Sequence, residues 1–200
     1  MGILERRLRQ KAEVRTSILQ AAWQLVLDEG WPALSIRKIA DAIEYSVPVI
    51  YSHFENKDAI LLEFTRDGFR LLTEAVIRQR DSEQRASQQL EAIAQGYWHF
   101  AFANEAYYQL MFGLGIPPCD KVNQVAEMKQ FSDVLISVIR EAIVTSKQPH
   151  ADGFLKFHTY WSILHGLVSI QMIDRKETGA HRGELVLQDA ISGFIKTLNG

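Results

Sequence analysis

Cysteine is almost absent from this chain: Cys119 stands alone among 200 residues. A single thiol excludes an internal disulfide and any zinc site built from several cysteines. It lies in the segment Ile-Pro-Pro-Cys-Asp, which reads as a loop, where an incidental thiol is the plain reading and a redox role the alternative. Long apolar runs are missing too. The richest stretch, Tyr160 to Ile173, is broken by Ser162, His165, Ser169 and Gln171, so no segment has the length of a membrane span. The opening MGILERRLRQ has no apolar core of signal-peptide length. A soluble, cytoplasmic protein with no membrane partner is expected.

Charge of one sign is also lacking. With 22 basic and 24 acidic side chains the net charge is −2, which is no global nucleic-acid signature. The distribution is less even. Residues 1–15 hold Arg6, Arg7, Arg9, Lys11 and Arg15 against Glu5 and Glu13. Such an arm can lie along phosphates, and it serves equally well as a solvated helix face. There is no alternating strand pattern, repeat or low-complexity tract. Phosphate-binding glycine loops, HExxH and a nucleophile-elbow serine are all missing. His150, Asp152, His158 and His165 form the nearest approach to a metal site, and one ligand pair two turns apart is too little. The expectation is therefore an all-α protein that is not an enzyme, with no catalytic residue, metal or cofactor.

What is present is helical periodicity, most informatively in SIRKIADAIEYSVPVIYSHFENK, residues 35 to 57. Ser35 can cap a short helix with Ile36, Ile39, Ala40 and Ile43 at helical spacing. Ser46 can cap a second that turns Val49 and Ile50 inward, and Asn56 a third that carries Ile60, Leu61 and Phe64. Helices this short do not persist alone, so they must pack on something. The arrangement suits a helix-turn-helix, which pushes one short helix into a DNA major groove.

The remaining helices follow from the same signals. The first spans about 5 to 29 and is ended by Gly30 and Pro32. A long helix runs from Lys57 to about Arg80. Another covers Leu90 to Phe102, a short one follows a break near Asn104, and Gly113, Gly115, Pro117 and Pro118 punctuate the chain. Asp120 can cap the next, which runs to about Ser146. Asp152 begins one that reaches about Arg175. Gly179 and Gly183 bracket a turn before a last helix, Leu185 to Leu198. That makes nine, with a three-helix head at residues 1–56 and a helical second domain at 57–200.

At these residues the chain resembles the tetracycline-repressor (TetR) family of transcriptional regulators. Ser35, Ile39, Ala40, Ala42, Ser46, Ile50, Tyr51, Phe54, Lys57 and Ala59 follow that family's pattern in order. Two departures stand out. Glu44 and Tyr45 occupy the turn where the family has Gly-Val, and Pro48 replaces a Gly of the recognition helix. Glu in the turn must bear or avoid a left-handed conformation, whereas Pro48 falls in a first turn where its missing N–H does little harm. Val47, Val49 and Ser52 are the candidates for base contact, mainly to thymine methyls. The resemblance implies phosphate contact at Tyr51, His53 and Lys57, with Ser35, Arg37 and Ser46 beside the backbone.

A second resemblance lies in YWSILHGLVSIQ. Trp161, His165 and Gly166 are similar to the Trp-His-Gly (WHG) motif of one ligand-binding subgroup of the same family. His158, Trp161 and His165 share a helix face, and Gly166 would let a neighbouring helix come close. Core packing alone also explains them. Placed on the helices that surround the cavity in relatives, Trp98, Phe102, Tyr107, Met111, Phe112, Met128, Phe131, Trp161 and His165 are candidate linings, though aromatics and Met also fill ordinary cores. Few charges fall among them, so a small apolar or aromatic effector suits the region.

The last two helices carry more apolar residues than two terminal helices usually hide. Phe157, Leu164, Leu167, Ile191, Phe194 and Ile195 are candidates for a two-fold seam with a second copy. The resemblance implies a homodimer reading a palindromic DNA operator, released when the effector alters the spacing of its heads: a repressor. The rival reading is a helical dimeric adaptor or ligand-binding protein with a degenerate head, which Glu44 and the weakly basic head favour.

Overall fold

The computed structural model describes residues 2–113, 125–173 and 179–199, and in the last helix the side chains of 182–198. Gly115, Pro117, Pro118, Cys119 and Asp120 lie outside the described residues. Among those described, nine α-helices and one 3-10 turn account for all the regular structure. They are α1 (Ile3–Glu29), the turn Trp31–Ala33, α2 (Ile36–Ala42), α3 (Val47–Tyr51), α4 (Lys57–Arg80), α5 (Ala86–Ala103), α6 (Glu105–Phe112), α7 (Ala126–Val144), α8 (Gly153–Ile173) and α9 (Gly179–Asn199). The protein is all-α, as its periodicity requires. No described helix is long and apolar enough to cross a membrane.

The chain divides into two compact units, Met1–Thr65 with Ala106–Val122 and Arg66–Glu105 with Asn123–Gly200. The first therefore takes the opening turns of α4, where sequence reading ended the head at residue 56. The reason is burial: Ile60, Leu61 and Phe64 of α4 share one core with Ile18, Ala22 and Val26 of α1, Ile39 and Ala40 of α2, and Ile50 of α3. Without them the short helices would expose that face. The first unit also takes α6. Trp31 donates its indole N–H to the Ala106 carbonyl (2.9 Å), Tyr107 stacks on Trp23 at 4.1 Å, and Leu110 enters the core. Gly30, at φ 80° and ψ 169°, ends α1 with its N–H on the Val26 carbonyl, so the predicted stop uses a positive-φ conformation that suits glycine.

In the second unit α5 packs against α7, α8 and α9, and α8 packs against α7 and α9. Tyr160 is fully buried among them. Its hydroxyl donates to the Leu90 carbonyl at 2.6 Å, and its ring lies 5.3 Å from Phe194. Burial pushes this phenol well above its ordinary pKa, so it remains a neutral donor. Asp152 caps α8 as expected, accepting from the Phe154 and Leu155 amides at 2.9 and 3.2 Å. α5 begins at Ala86 rather than Leu90, because Ala86 is itself buried and starts the inward side one turn earlier.

Two glycines exchange their expected roles. Gly183 is not a turn residue but lies inside α9, where a Cβ would come within 2.7 Å of Trp98 Cη2 and 3.0 Å of Gln171 Oε1. Its lack of a side chain makes room for the Trp98 ring. Gly166, expected to admit a neighbouring helix, has open space where a Cβ would stand. Replacing Gly183 with Ala should therefore cost about 1–3 kcal/mol through overpacking. Gly166→Ala should leave stability unchanged or raise it by up to about 1 kcal/mol through helix propensity. Urea denaturation of the two variants checks the pair; equal losses would contradict the packing.

Candidate functional site

The segment from Ser35 to Lys57 is built by caps and a turn. Ser35 Oγ accepts the Lys38 amide at 3.2 Å and starts α2. α2 ends in a Schellman arrangement, with the Tyr45 N–H on the Ala40 carbonyl (3.0 Å) and the Glu44 N–H on that of Asp41 (3.3 Å). Glu44 takes the left-handed position, at φ 57°, and is the one non-glycine with positive φ among the described residues. The turn geometry is thus kept with a residue that pays about 1–2 kcal/mol for it. Ser46 occupies the cap position of α3 but makes no side-chain cap bond; its carbonyl accepts from Val49, and Pro48 sits in the first turn. Asn56 caps α4 through the Ala59 amide at 2.9 Å.

Ile50 and Phe54 are the buried anchors. The Arg15 guanidinium of α1 lies 4.4 Å over the Phe54 ring and pairs with Glu63 at 3.2 Å, holding the end of the reading segment to α1 and α4. Opposite the anchors the sequence candidates gather on one short stretch. Arg37, Ser46, Tyr51 and Ser52 are exposed, and Ser35, Val47, Val49, His53 and Lys57 are half-buried. The Ser52 hydroxyl donates to the Val49 carbonyl (2.7 Å), which leaves its oxygen free to accept. Arg37 stands 4.0 Å from Asp41 on an exposed face, a weak pairing. Nδ1 of His53 is enclosed with no hydrogen-bond partner among the described residues. Burial lowers the pKa of this imidazole, and Lys11 and Arg15 push it the same way, so it is neutral at pH 7.

The ligand candidates are dispersed. Tyr107, Met111 and Phe112 belong to the first unit with α6, and Tyr107 is committed to Trp23. In the second unit Phe131 is fully buried 6.0 Å from Tyr97, and Trp98 fills the space at Gly183 while touching Phe102 at 4.7 Å. Met128, Trp161 and His165 are half-buried. Rings follow one another along α8: Phe157 lies 5.9 Å from Trp161, which lies 6.5 Å from His165. Ser169 Oγ comes 3.5 Å from His165 Nε2, and burial lowers the His165 pKa. Two hollows of the second unit lie elsewhere. One of about 390 Å³ has Leu90, Ala142, Ile195 and Leu198 in its lining, and one of about 330 Å³ has Ala94, Leu187 and Ile191.

The expected seam residues also sit differently. Phe157, Leu164, Ile191, Phe194 and Ile195 are buried within the second unit itself, and Leu167 is half-buried. The apolar side chains that α8 turns outward are Phe154, Leu155, Ile170 and Ile173, 60–83% exposed. Apolar residues surround α8 on every side, so spacing alone could not tell its inner face from its outer one. No group of three or more His, Cys, Asp or Glu among the described residues is placed to hold a metal ion. Sequence reasoning missed the Trp31–Ala106 bond and the Arg15–Phe54 contact, each of which joins residues far apart in the chain.

A head with two short helices around a tight turn, together with a separate helical unit, is the architecture of helix-turn-helix regulators. Two sequence profiles agree: "Bacterial regulatory proteins, tetR family" matches residues 18–64, and "Tetracyclin repressor-like, C-terminal domain" matches 90–187. The chain carries the fold and both domains of the TetR family of transcriptional regulators. Among solved structures it is similar to a protein of unknown function from Rhodococcus sp. RHA1, at 24% identity over 93% of this chain and 95% of that one, with TM-score 0.77. The FadR regulator of Bacillus subtilis, solved with stearoyl-CoA, matches at 18% identity over 89% and 98% of the two chains, TM-score 0.69. PfmR of Thermus thermophilus, a TetR-family regulator, matches at 19% over 90% and 97%, TM-score 0.65. No curated protein matches the chain.

The strain at Glu44 is open to test. Glu44→Gly should raise stability by about 0.5–1 kcal/mol, less than the full left-handed penalty because Gly loses more chain entropy on folding. Chemical denaturation measures it, and a loss of stability would show that the Glu side chain compensates for its backbone.

Proposed function

We propose that the protein is a cytoplasmic, ligand-responsive repressor that binds a palindromic DNA operator as a homodimer through residues 35–57. The observation that carries this reading is the presentation of α3: Ile50 and Phe54 are buried while Tyr51, Ser52 and Ser46 are open to solvent on the same five-residue helix and its ends. A helix anchored on one side and free on the other is what major-groove reading needs. Val47 and Val49 offer apolar contact to thymine methyls, and Ser52 offers an acceptor. Tyr51, His53 and Lys57 serve the phosphates, with Ser35, Arg37 and Ser46 beside them.

Dimerisation is supported by α8. Its outward Leu155, Ile170 and Ile173, which helical spacing puts on one side, and the exposed Leu185 and Val186 of α9 are apolar side chains that a monomer leaves wet. A second copy packing the same helices in antiparallel fashion covers them with two-fold symmetry. Leu167, half-buried, stands at the edge of that seam.

The effector is small and largely apolar, held in the second unit beside Trp161 and His165 as in regulators of the Trp-His-Gly subgroup. His165 is neutral there and supplies a hydrogen-bonding edge. The FadR relative was solved with stearoyl-CoA, whose acyl chain is apolar although its headgroup is large and anionic, and that chain supports an apolar portion in the ligand here. Release follows only if the ligand binds more tightly to the dimer shape whose heads miss successive grooves.

Selection from a random duplex pool should return an inverted repeat, and Val49 variants should shift its preferred bases by about 1–3 kcal/mol per disrupted position. Lys57→Ala should weaken binding alike on every sequence. A pool without enrichment at moderate salt would sink the DNA reading. For the seam, sedimentation at micromolar concentration should give a dimer, and Ile170→Asp should give monomers. A monomeric unmodified chain would remove that part of the proposal.

A further inference from the structure

The first three turns of α1 stand open to solvent. Residues 2–13 are exposed throughout, and α1 buries its first side chain completely only at Ile18. This extension carries the charge excess of the N-terminal segment. Its two carboxylates are already engaged, Glu5 by the Gly2 amide at 2.9 Å and Glu13 by Arg9 at 3.8 Å. Arg7 and Lys11 have no carboxylate partner among the described residues. Standing four apart on one face, they repel each other slightly, a cost that a polyanion alongside would reverse.

The face they share has a direction. Arg15, one further turn along, lies over Phe54, and the preceding residue, His53, is within electrostatic reach of both Lys11 and Arg15. The stripe of Arg7, Lys11 and Arg15 therefore starts at the end of the reading segment and runs outward from it. Eleven residues of helix, 3 to 13, extend about 16 Å, which is several base pairs of duplex.

We propose that Arg7 and Lys11 grip the sugar-phosphate backbone outside the base pairs that α3 faces, so that each head holds its half-site at two places. This rests on residues 35–57 being the DNA-reading segment. Charge complementarity selects the occupant. The exposed Ile3, Leu4 and Leu8 on the same extension leave self-association as the rival, which the experiment separates.

The full chain and its Arg7→Gln/Lys11→Gln variant are titrated with the duplex that the unmodified protein selects, over a salt series. The variant should bind more weakly at every salt concentration. The slope of log affinity against log salt should become shallower by about two, roughly 0.9 for each phosphate that is no longer neutralised. The selected motif should be unchanged, because phosphate contacts carry no base information. An unmodified chain that selects a motif, with a variant of unchanged slope, overturns this inference alone. Failure of the unmodified chain to select any motif overturns it together with the DNA-reading segment. An unchanged slope with a Leu4→Ser/Leu8→Ser variant that alters sedimentation assigns the extension to a second copy instead. Circular dichroism of the exposed-charge variant confirms that its helices are intact.

Discussion

A five-residue helix has no stability of its own in water, and α3 is five residues long. Everything in the head answers to that constraint. Ile50 is removed from water completely, a burial worth about 1.5–3 kcal/mol, and it meets Ile39 and Ala40 of α2 in a core closed by α1 and α4. Phe54 adds the second anchor and is itself covered by Arg15. These two side chains, with Val47 half-buried against the same core, fix α3 from one side. Exposed residues such as Tyr51 and Ser52 are thereby free to serve recognition.

The turn before α3 shows how much the architecture tolerates. The Schellman hydrogen bonds define the angle between α2 and α3 whether the left-handed residue is Gly or Glu. Glu44 bears a modest strain and leaves the geometry intact, while Pro48 falls where no amide is needed. Departures from the family's usual residues in this turn thus change the surface offered to a duplex without changing the frame. The half-buried valines on either side of Pro48 make that surface more apolar than basic.

In the second unit α8 has to satisfy two apolar demands. Tyr160, Leu164 and Val168 face inward, and the Tyr160 hydroxyl ties α8 to the Leu90 carbonyl of α5. Phe154, Ile170 and Ile173 remain outside. A helix that is apolar on every side is normally enclosed by protein. The interior of one chain covers only part of this one, and that imbalance is the physical case for a second copy. Close packing at Gly183, where Trp98 occupies the space of a missing side chain, ties α9 to α5.

Much of the frame is legible in the chain because its signals are local. Ser35, Asn56 and Asp152 cap helices through bonds spanning two or three residues, Gly30 stops α1, and apolar spacing marks the buried side of α1, α2 and α4. From these the all-helical class, the helix-turn-helix and the resemblance to TetR regulators could be read. Only the tertiary structure decided that Tyr107 belongs with Trp23, that Gly183 seats Trp98 inside a helix, and that Phe157, Leu164 and Phe194 face inward while Phe154 and Ile170 face out. Each depends on which distant segment occupies the adjoining space, as when Trp31 bonds a carbonyl 75 residues away. A helical repeat specifies which residues share a face; what covers that face is a property of the packed whole.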